Sequence, residues 1–233
     1  MKIMVITPGV FPAEEVEIRR RYLETMASPG TELHAVALRQ GPESVRNTAD
    51  LQLLVPGILE RAKEAEGAGF DALIIHGFDD PGVEAARTIV RIPVVGPGES
   101  TYYLACTLAD KFGVITFLDN VIPHLMRTAR SIGVEDRILS MRAVNIPVLE
   151  LKKRREELIK RFSDLSRRAV DEGAQLIIPG CLAFLANMGR EAKGRIEEEI
   201  GAPILDPQAI ALRTAEMLVN LGLSHSKRAF PSS

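Results

Sequence analysis

The 233-residue sequence contains no tryptophan, has only 5% aromatic residues and carries just two cysteines, Cys106 and Cys181. Two distant cysteines cannot supply a disulfide framework or a zinc site, and a reducing compartment would keep both as thiols. No stretch reaches the roughly 20 apolar residues that a bilayer-crossing helix needs. The opening Met1-Lys2-Ile3-Met4-Val5-Ile6 reads as a strand rather than a signal peptide, so a cytoplasmic protein without a membrane partner is expected. There is no excess charge of either sign: 29 basic and 31 acidic residues leave a net charge of −2. Without a basic patch, nucleic acid is not an expected partner. A P-loop lysine motif is absent, and Gly96-Pro97-Gly98 is followed by Thr101 where a dinucleotide fingerprint needs its third glycine. No cofactor and no metal ion are expected.

What is present is 46% apolar content, enough for a substantial core. Short β-branched runs alternate with longer amphipathic segments, the pattern of an α/β protein with largely parallel strands. Strands are predicted at 2–7, 33–38, 71–76, 92–96, 112–117, 143–148, 174–179 and 203–205. Leu51, Leu54, Val55, Ile58, Leu59 and Ala62 mark one helical face, and Leu158, Phe162, Leu165 and Ala169 another. A last helix carries Ile210, Thr214, Met217, Leu218 and Leu221 on its predicted inner side and stops at Gly222, suited to a left-handed C′ position.

Three pieces of the first half recur in order in the second. Val5-Ile6-Thr7 returns as Val114-Ile115-Thr116, Leu73-Ile74-Ile75 as Leu176-Ile177-Ile178, and Pro93-Val94-Val95-Gly96-Pro97 as Pro203-Ile204-Leu205-Asp206-Pro207. Two pseudo-symmetric βα lobes, each with a small parallel sheet, are therefore expected. Ligands collect at the carboxyl ends of parallel strands, where helix N-termini offer unpaired N–H groups. Two facing sheets would share one interlobe cleft. Its candidate lining is Thr7-Pro8-Gly9, His76 to Asp80, Thr116-Phe117 and Gly180-Cys181-Leu182.

Cys181 follows a buried strand and precedes a helix, where amides and the helix dipole favour the thiolate; a small buried hydrophobe is the other reading. Cys106, inside Tyr103-Leu104-Ala105-Cys106-Thr107-Leu108, reads as helix-interior packing. His76 is a candidate acid or base near neutral pH, although its alternation along the strand is opposite to that of Gly77. Asp79 and Asp80 are either a carboxylate pair or a turn, with Asp80 as N-cap and Pro81 at N1. Thr7 and Thr116 are hydroxyl donors at equivalent strand ends. The runs Lys152-Lys153-Arg154-Arg155 and Glu197-Glu198-Glu199 read as solvated helix surface.

Taken in order, Ile6-Thr7-Pro8-Gly9, Phe78-Asp79-Asp80-Pro81-Gly82, Pro93-Val94-Val95-Gly96, Gly180-Cys181 and the ending Gly222-Leu223-Ser224-His225-Ser226-Lys227-Arg228 resemble the hydantoin racemase branch of the Asp/Glu/hydantoin racemase superfamily. The likeness covers essentially the whole chain. It implies α/β architecture of two three-layer α/β/α, Rossmann- or flavodoxin-like lobes: residues 1–97 plus 206–233, and 98–205. It also implies a cofactor-independent isomerase acting on a small carboxylate, amino acid or cyclic amide, and homo-oligomerisation.

In that family two cysteines flank the substrate carbon. The second matches Cys181; the first begins a segment usually written C-F-G-D-P-G, which here reads Gly77-Phe78-Asp79-Asp80-Pro81-Gly82. The first thiol is thus replaced by Gly77, and Asp79 stands at a usual glycine. Racemisation needs proton transfer at both faces of a planar carbanion, so another group (His76, Asp79 or water) must substitute, or the reaction differs. Decarboxylation needs only one proton donor, and the arylmalonate decarboxylase branch resembles this chain at the Gly77 and Cys181 pair. A ligand-binding protein on a decayed enzyme scaffold is the third reading. Across these readings Thr7, Pro8, Gly9, Phe78, Thr116, Phe117, Gly180 and Leu182 are the expected substrate-binding residues.

Overall fold

The computed structural model describes residues 1–42, 45 and 47–232; Ser233, the end of the predicted first lobe, lies outside them. The chain divides into two compact units, Met1–Ser100 with Gln208–Ser233, and Thr101–Pro207. In chain order the first half forms β1 (Lys2–Thr7), α1 (Ala13–Glu24), β2 (Glu32–Ala37), α2 (Thr48–Gly67), β3 (Ala72–Ile75), α3 (Val83–Ile89), β4 (Val94–Val95) and α4 (Pro97–Leu108). The second half forms β5 (Phe112–Thr116), α5 (Ile122–Ser131), β6 (Ile138–Ala143), α6 (Arg155–Asp171), β7 (Leu176–Pro179), α7 (Ala183–Met188), α8 (Arg190–Ile200) and α9 (Pro207–Asn220). Among the described residues no helix is long and apolar enough to cross a membrane.

Every strand pair is parallel, in the orders β2-β1-β3-β4 and β6-β5-β7. Parallel strands covered on both faces read as unbroken apolar runs, and β3, β5 and β7 are buried at every residue. In the first unit Ile6, Leu73 and Ile75 pack with Leu54, Ile58 and Ala62 of α2 and Ala86 of α3. The alternate residues Ile3, Val5 and Ile74 pack with Leu23 of α1 and Ala211, Leu212 and Ala215 of α9. These two faces make the first sheet the middle of three layers. In the second unit Ile115 and Ile177 pack with Leu158 and Phe162 of α6 and with residues of α7 and α8. Phe162 and Phe184 meet edge to face, with centroids 5.7 Å apart.

The two sheets have the same internal plan. Leu73 N–H donates to Pro93 O at 2.8 Å, and Ile177 N–H to Pro203 O at 2.9 Å. Structurally, then, Leu73 corresponds to Ile177, and the sequence repeat that set Leu73 against Leu176 is one residue out of step. Apolar residues fill both sets of positions, so composition alone does not fix the register.

Several expectations are corrected. The strand predicted at 203–205 is reduced to an isolated bridge, Ile177 to Ile204. The strand predicted at 143–148 is instead β6, ending at Ala143. Its residues are mostly half-buried because β6 is a sheet edge, which hides the apolar signal, whereas the buried Val144 and Ile146 lie in the following irregular segment. Val144 N–H donates to Thr116 O at 2.9 Å and Ile146 N–H to Phe117 O at 3.0 Å, so this segment keeps its backbone paired beside β5 without being a strand.

The side expected to be apolar in α9 is only in part its inner one: Leu218 packs against the core. Met217 and Leu221 are exposed, while Ala211, Leu212, Ala215 and Glu216 are buried. Small alanines let the helix approach the sheet closely, and Glu216 is paired rather than solvated. Its carboxylate accepts from Ser28 N at 2.8 Å, Ser28 Oγ at 2.7 Å and Thr31 Oγ1 at 2.8 Å, and pairs with Arg213 at 2.7 Å. As predicted, Gly222 adopts positive φ (64°) after the helix, and Leu223 N–H closes onto Leu218 O at 2.9 Å.

Asp80 is a cap, but not of the expected helix. Its carboxylate accepts from Gly98 N at 2.9 Å and Glu99 N at 2.6 Å, capping the first turn of α4, which begins at Pro97. A Cβ on Gly96 would lie 2.5 Å from the Asp80 carboxyl, and one on Gly98 2.1 Å from Phe78 O. The Gly96-Pro97-Gly98 sequence is therefore explained by close approach of the 77–80 turn. Asp80 and Gly82 are both left-handed, at φ 51° and 68°, and α3 starts only after them, at Val83.

Burial pushes the Glu216 carboxyl up, but its Ser28, Thr31 and Arg213 donors outweigh this and hold it below the ordinary 4.5. A lowered folded value means the stabilisation is present above the unfolded value and lost as pH falls through the folded one. Glu216→Gln is expected to cost about 1–3 kcal/mol at neutral pH, with the gap closing in acid. Urea unfolding from pH 7 to pH 3 checks this; a gap independent of pH rules it out. Asp80→Ala is expected to cost about 0.5–2 kcal/mol through loss of the α4 cap, read as a lower urea midpoint with unchanged slope.

Candidate active site

In the first unit, β1 ends at Thr7 and β3 at Ile75, and the loops beyond them carry the expected residues. His76 N–H donates to Ile6 O at 2.8 Å, Gly77 N–H to Ile75 O at 2.8 Å and Asp80 N–H to Gly77 O at 3.1 Å. The result is a tight turn that holds residues 76–80 against the end of β1. Gly77 sits in the middle of it: a Cβ there would meet Pro81 Cδ at 3.1 Å, Asp79 Oδ1 at 3.2 Å and Pro8 Cγ at 3.2 Å. Gly9 is buried and its carbonyl accepts from Leu38 N–H at 2.9 Å, while Pro8 stays half-buried. Phe78 is buried at 4% exposure.

The polar side chains of this loop divide by whether their bonding is already complete. His76 is buried, with Nε2 2.7 Å from Gln208 Oε1. Burial pushes its pKa down to about 4, so the ring is neutral at physiological pH and serves as a structural link. Gln208, at the start of α9, is a residue that sequence reasoning missed; nothing in the pattern ties it to a strand end 132 positions away. Asp80 is spent on α4. Asp79 is half-buried, and among the described residues its carboxyl accepts only from its own backbone N–H. Burial pushes its pKa up to about 6. Thr7 is buried, and among the described residues its Oγ1 has no hydrogen-bond partner, an unsatisfied donor at a strand end.

In the second unit, Thr116 ends β5 and Gly180-Cys181-Leu182 follows β7. Gly180 N–H donates to Ile115 O at 2.7 Å, and Thr116 Oγ1 donates to Gly180 O at 3.3 Å. Thr116 is therefore committed where Thr7, at the matching end of β1, is open. A Cβ on Gly180 would crowd Val114 Cγ1 at 3.1 Å. Phe117 is half-buried against the apolar cluster, and Leu182 takes the N-cap position of α7 at 8% exposure. Cys181 is also 8% exposed and is part of that cluster, its carbonyl accepting from Phe184 N–H at 3.1 Å. Cys106, by contrast, is half-buried within α4, its carbonyl accepting from Arg137.

The bonds from His76 N–H to Ile6 O and from Gly180 N–H to Ile115 O are equivalent, because Ile6 pairs with Ile75 as Ile115 pairs with Pro179. His76 thus corresponds to Gly180, and Gly77 corresponds to Cys181. A nucleophilic side chain occupies this position in one unit and no side chain occupies it in the other. No group of three metal-ligating side chains occurs among the described residues. A shallow recess of about 210 Å³ lined by Ala143, Val144, Asn145, Arg161, Asp164 and Leu165 includes none of the predicted site residues.

The family model described as Asp/Glu/Hydantoin racemase matches residues 15–215. A hydantoin racemase of Pseudomonas sp. (strain NS671) is 35% identical over 228 residues, 97% of this chain and 89% of that protein. Among solved structures, allantoin racemase from Klebsiella pneumoniae superposes with a TM-score of 0.89 at 28% identity, covering 100% of this chain and 94% of that one. Unliganded arylmalonate decarboxylase shares the fold, with a TM-score of 0.63 at 16% identity over 94% of this chain and 92% of its own. The chain belongs to the Asp/Glu/hydantoin racemase family of isomerases.

Proposed function

We propose that the protein is a cofactor-independent racemase acting at the acidic carbon of a small cyclic amide of the hydantoin class, with the Cys181 thiol as a proton carrier. The observation that carries this reading is the placement of Cys181 directly beyond β7, on a loop pinned by the Gly180 N–H to Ile115 O bond. Its support comes from the relatives: proteins similar over nearly the whole chain are named hydantoin racemase and allantoin racemase, and both substrates contain a hydantoin ring.

The ring carbon between a carbonyl and a nitrogen is acidified because its carbanion is an enolate. Removing its proton requires a base, and returning one to the opposite face requires an acid. A thiol does either, according to its protonation state. The developing enolate oxygen needs donors aimed at it in a dry site. Such chemistry asks for acid–base groups and fixed donors only. The substrate is a small molecule, and a cytoplasmic setting suits a chain with two free thiols.

Decarboxylation of a malonate-type acid is the second reading, favoured by one observation: Gly77 supplies no thiol opposite in role to Cys181. Loss of optical rotation from single enantiomers of 5-substituted hydantoins is the expected activity. Cys181→Ser should reduce it by roughly 10²–10⁴-fold without changing the thermal unfolding midpoint appreciably. Racemisation undiminished by the substitution would defeat the reading; Cys181-dependent release of carbon dioxide from arylmalonates, with inert hydantoins, would favour the second.

A further inference from the structure

The ending Ser224-His225-Ser226-Lys227-Arg228 is exposed along much of its length, yet its side chains fasten it to the edge of the first sheet. That edge is β4, in the order β2-β1-β3-β4, so Val94 has no further strand to pair with on its outer side. Val94 N–H donates instead to His225 Nε2 at 3.0 Å, and Val94 O accepts from Arg87 Nε at 3.2 Å and Nη2 at 3.1 Å. Burial and the Arg87 charge push the His225 pKa down to about 4, so the ring that accepts is neutral. Lys227 Nζ donates to Arg87 O at 2.7 Å and to Val90 O, a cation placed on the carbonyls that end α3. Ser224 Oγ donates to Arg91 O. Phe230 meets the His225 ring, with centroids 5.8 Å apart, and its own centroid lies 5.5 Å from the Arg87 guanidinium.

Arg87 ties this ending to the turn of residues 77–80, all within the first unit. Its side chain is 11% exposed and pairs with the Glu99 carboxylate at 2.7 Å. Glu99 lies in the first turn of α4, and its own N–H donates to Asp80 Oδ2 at 2.6 Å, beside the Gly98 N–H on Oδ1 at 2.9 Å. Asp80 in turn keeps a left-handed backbone at φ 51° and closes the turn through its N–H to Gly77 O at 3.1 Å. A residue other than glycine stays in that conformation only where its surroundings impose it. The Glu99 charge works against the cap: burial pushes the Asp80 carboxyl up, the Glu99 and Gly98 amides pull it back, and the Glu99 and Asp79 charges push it further. Arg87 offsets the Glu99 charge, and removing one member of such a pair leaves the other uncompensated. We propose that residues 224–230 form a clasp that positions the turn of residues 77–80, with Arg87 as the positioning residue through which it acts. The clasp fixes Arg87, Arg87 holds Glu99, and Glu99 presents its amide to Asp80. The importance of this turn for turnover rests on the racemase reading above, which counts Gly77 and Phe78 among the site residues; the hold of the clasp on the turn does not.

The test uses the full-length protein with Arg87→Met and, should that variant fail to fold, Lys227→Ala/Phe230→Ala, which leaves Arg87 in the chain. Amide hydrogen exchange followed by NMR reads the cap directly. Both variants should speed exchange of the Gly98, Glu99 and Asp80 amides by roughly tenfold or more, while the Ile6 and Ile74 amides inside the sheet keep the rates of the parent. At a temperature where the variants are fully folded, kcat/KM for single enantiomers of a 5-substituted hydantoin should fall by roughly 10–100-fold. A tail needed only for stability would lower the unfolding midpoint and leave both readouts unchanged. Because Asp80→Ala removes the cap itself, adding Lys227→Ala/Phe230→Ala to it should slow racemisation little further, whereas independent sites add. Exchange of Gly98 and Glu99 within about twofold of the parent overturns the clasp. Faster exchange with an undiminished kcat/KM overturns its part in turnover, and losses that add to that of Asp80→Ala overturn the route through Asp80. A parent protein that racemises no hydantoin overturns the racemase reading instead, and the exchange rates still decide whether the clasp holds the turn.

Discussion

The constraint on which the structure depends is that a parallel sheet covered on both faces leaves its backbone unpaired only beyond the strand ends. Every residue of β3, β5 and β7 is buried, so groups free for chemistry are expected at the strand ends and just past them. The bonds from His76 N–H to Ile6 O and from Gly180 N–H to Ile115 O are the last rungs of the two ladders. They decide which residue is the first to leave each sheet: Gly77 in one unit and Cys181 in the other. Shifting either rung by one residue would place a different side chain at that point.

Around these rungs the protein satisfies its buried polar groups with care. His76 is held by Gln208, Asp80 by the amides that open α4, Thr116 by Gly180 O, and Glu216 by Ser28, Thr31 and Arg213. Each of these groups would cost about 1–3 kcal/mol if left buried without a partner. Among the described residues Thr7 Oγ1, like Thr101 Oγ1 and Ser166 Oγ, has no hydrogen-bond partner, and the Asp79 carboxyl has only its own amide.

How much of this was legible in the sequence follows from which physical signals are local. The buried central strands announce themselves as unbroken apolar runs, and the repeat of Val5-Ile6-Thr7 as Val114-Ile115-Thr116 gave the two sheets. The edge strand β6 did not, because half-exposed residues carry no clear period, and the buried Val144 and Ile146 beside it drew the prediction downstream. The inner face of α9 was misjudged in part, because small alanines and a paired glutamate outcompeted the larger apolar residues for the close approach to the sheet. Cys181 and Gly77 were legible from their position after strands. Capping of α4 by Asp80 and the link from His76 to Gln208 were not, since each joins residues brought together only by the fold.

Gly77 and Asp79 share one tight turn and approach each other closely. A turn that folds back within three residues leaves little room for a side chain at position 77, where a Cβ would press on Pro81, Asp79 and Pro8. Burial pushes the Asp79 carboxyl up to about 6, and it interacts electrostatically with the neighbouring Asp80 carboxyl. The same enclosure would penalise a carboxylate that had no role, because burying a charge with a single amide donor costs stability. Asp79 bears that penalty in a turn whose glycine it nearly touches, its Oδ1 lying 3.2 Å from where a Gly77 Cβ would stand.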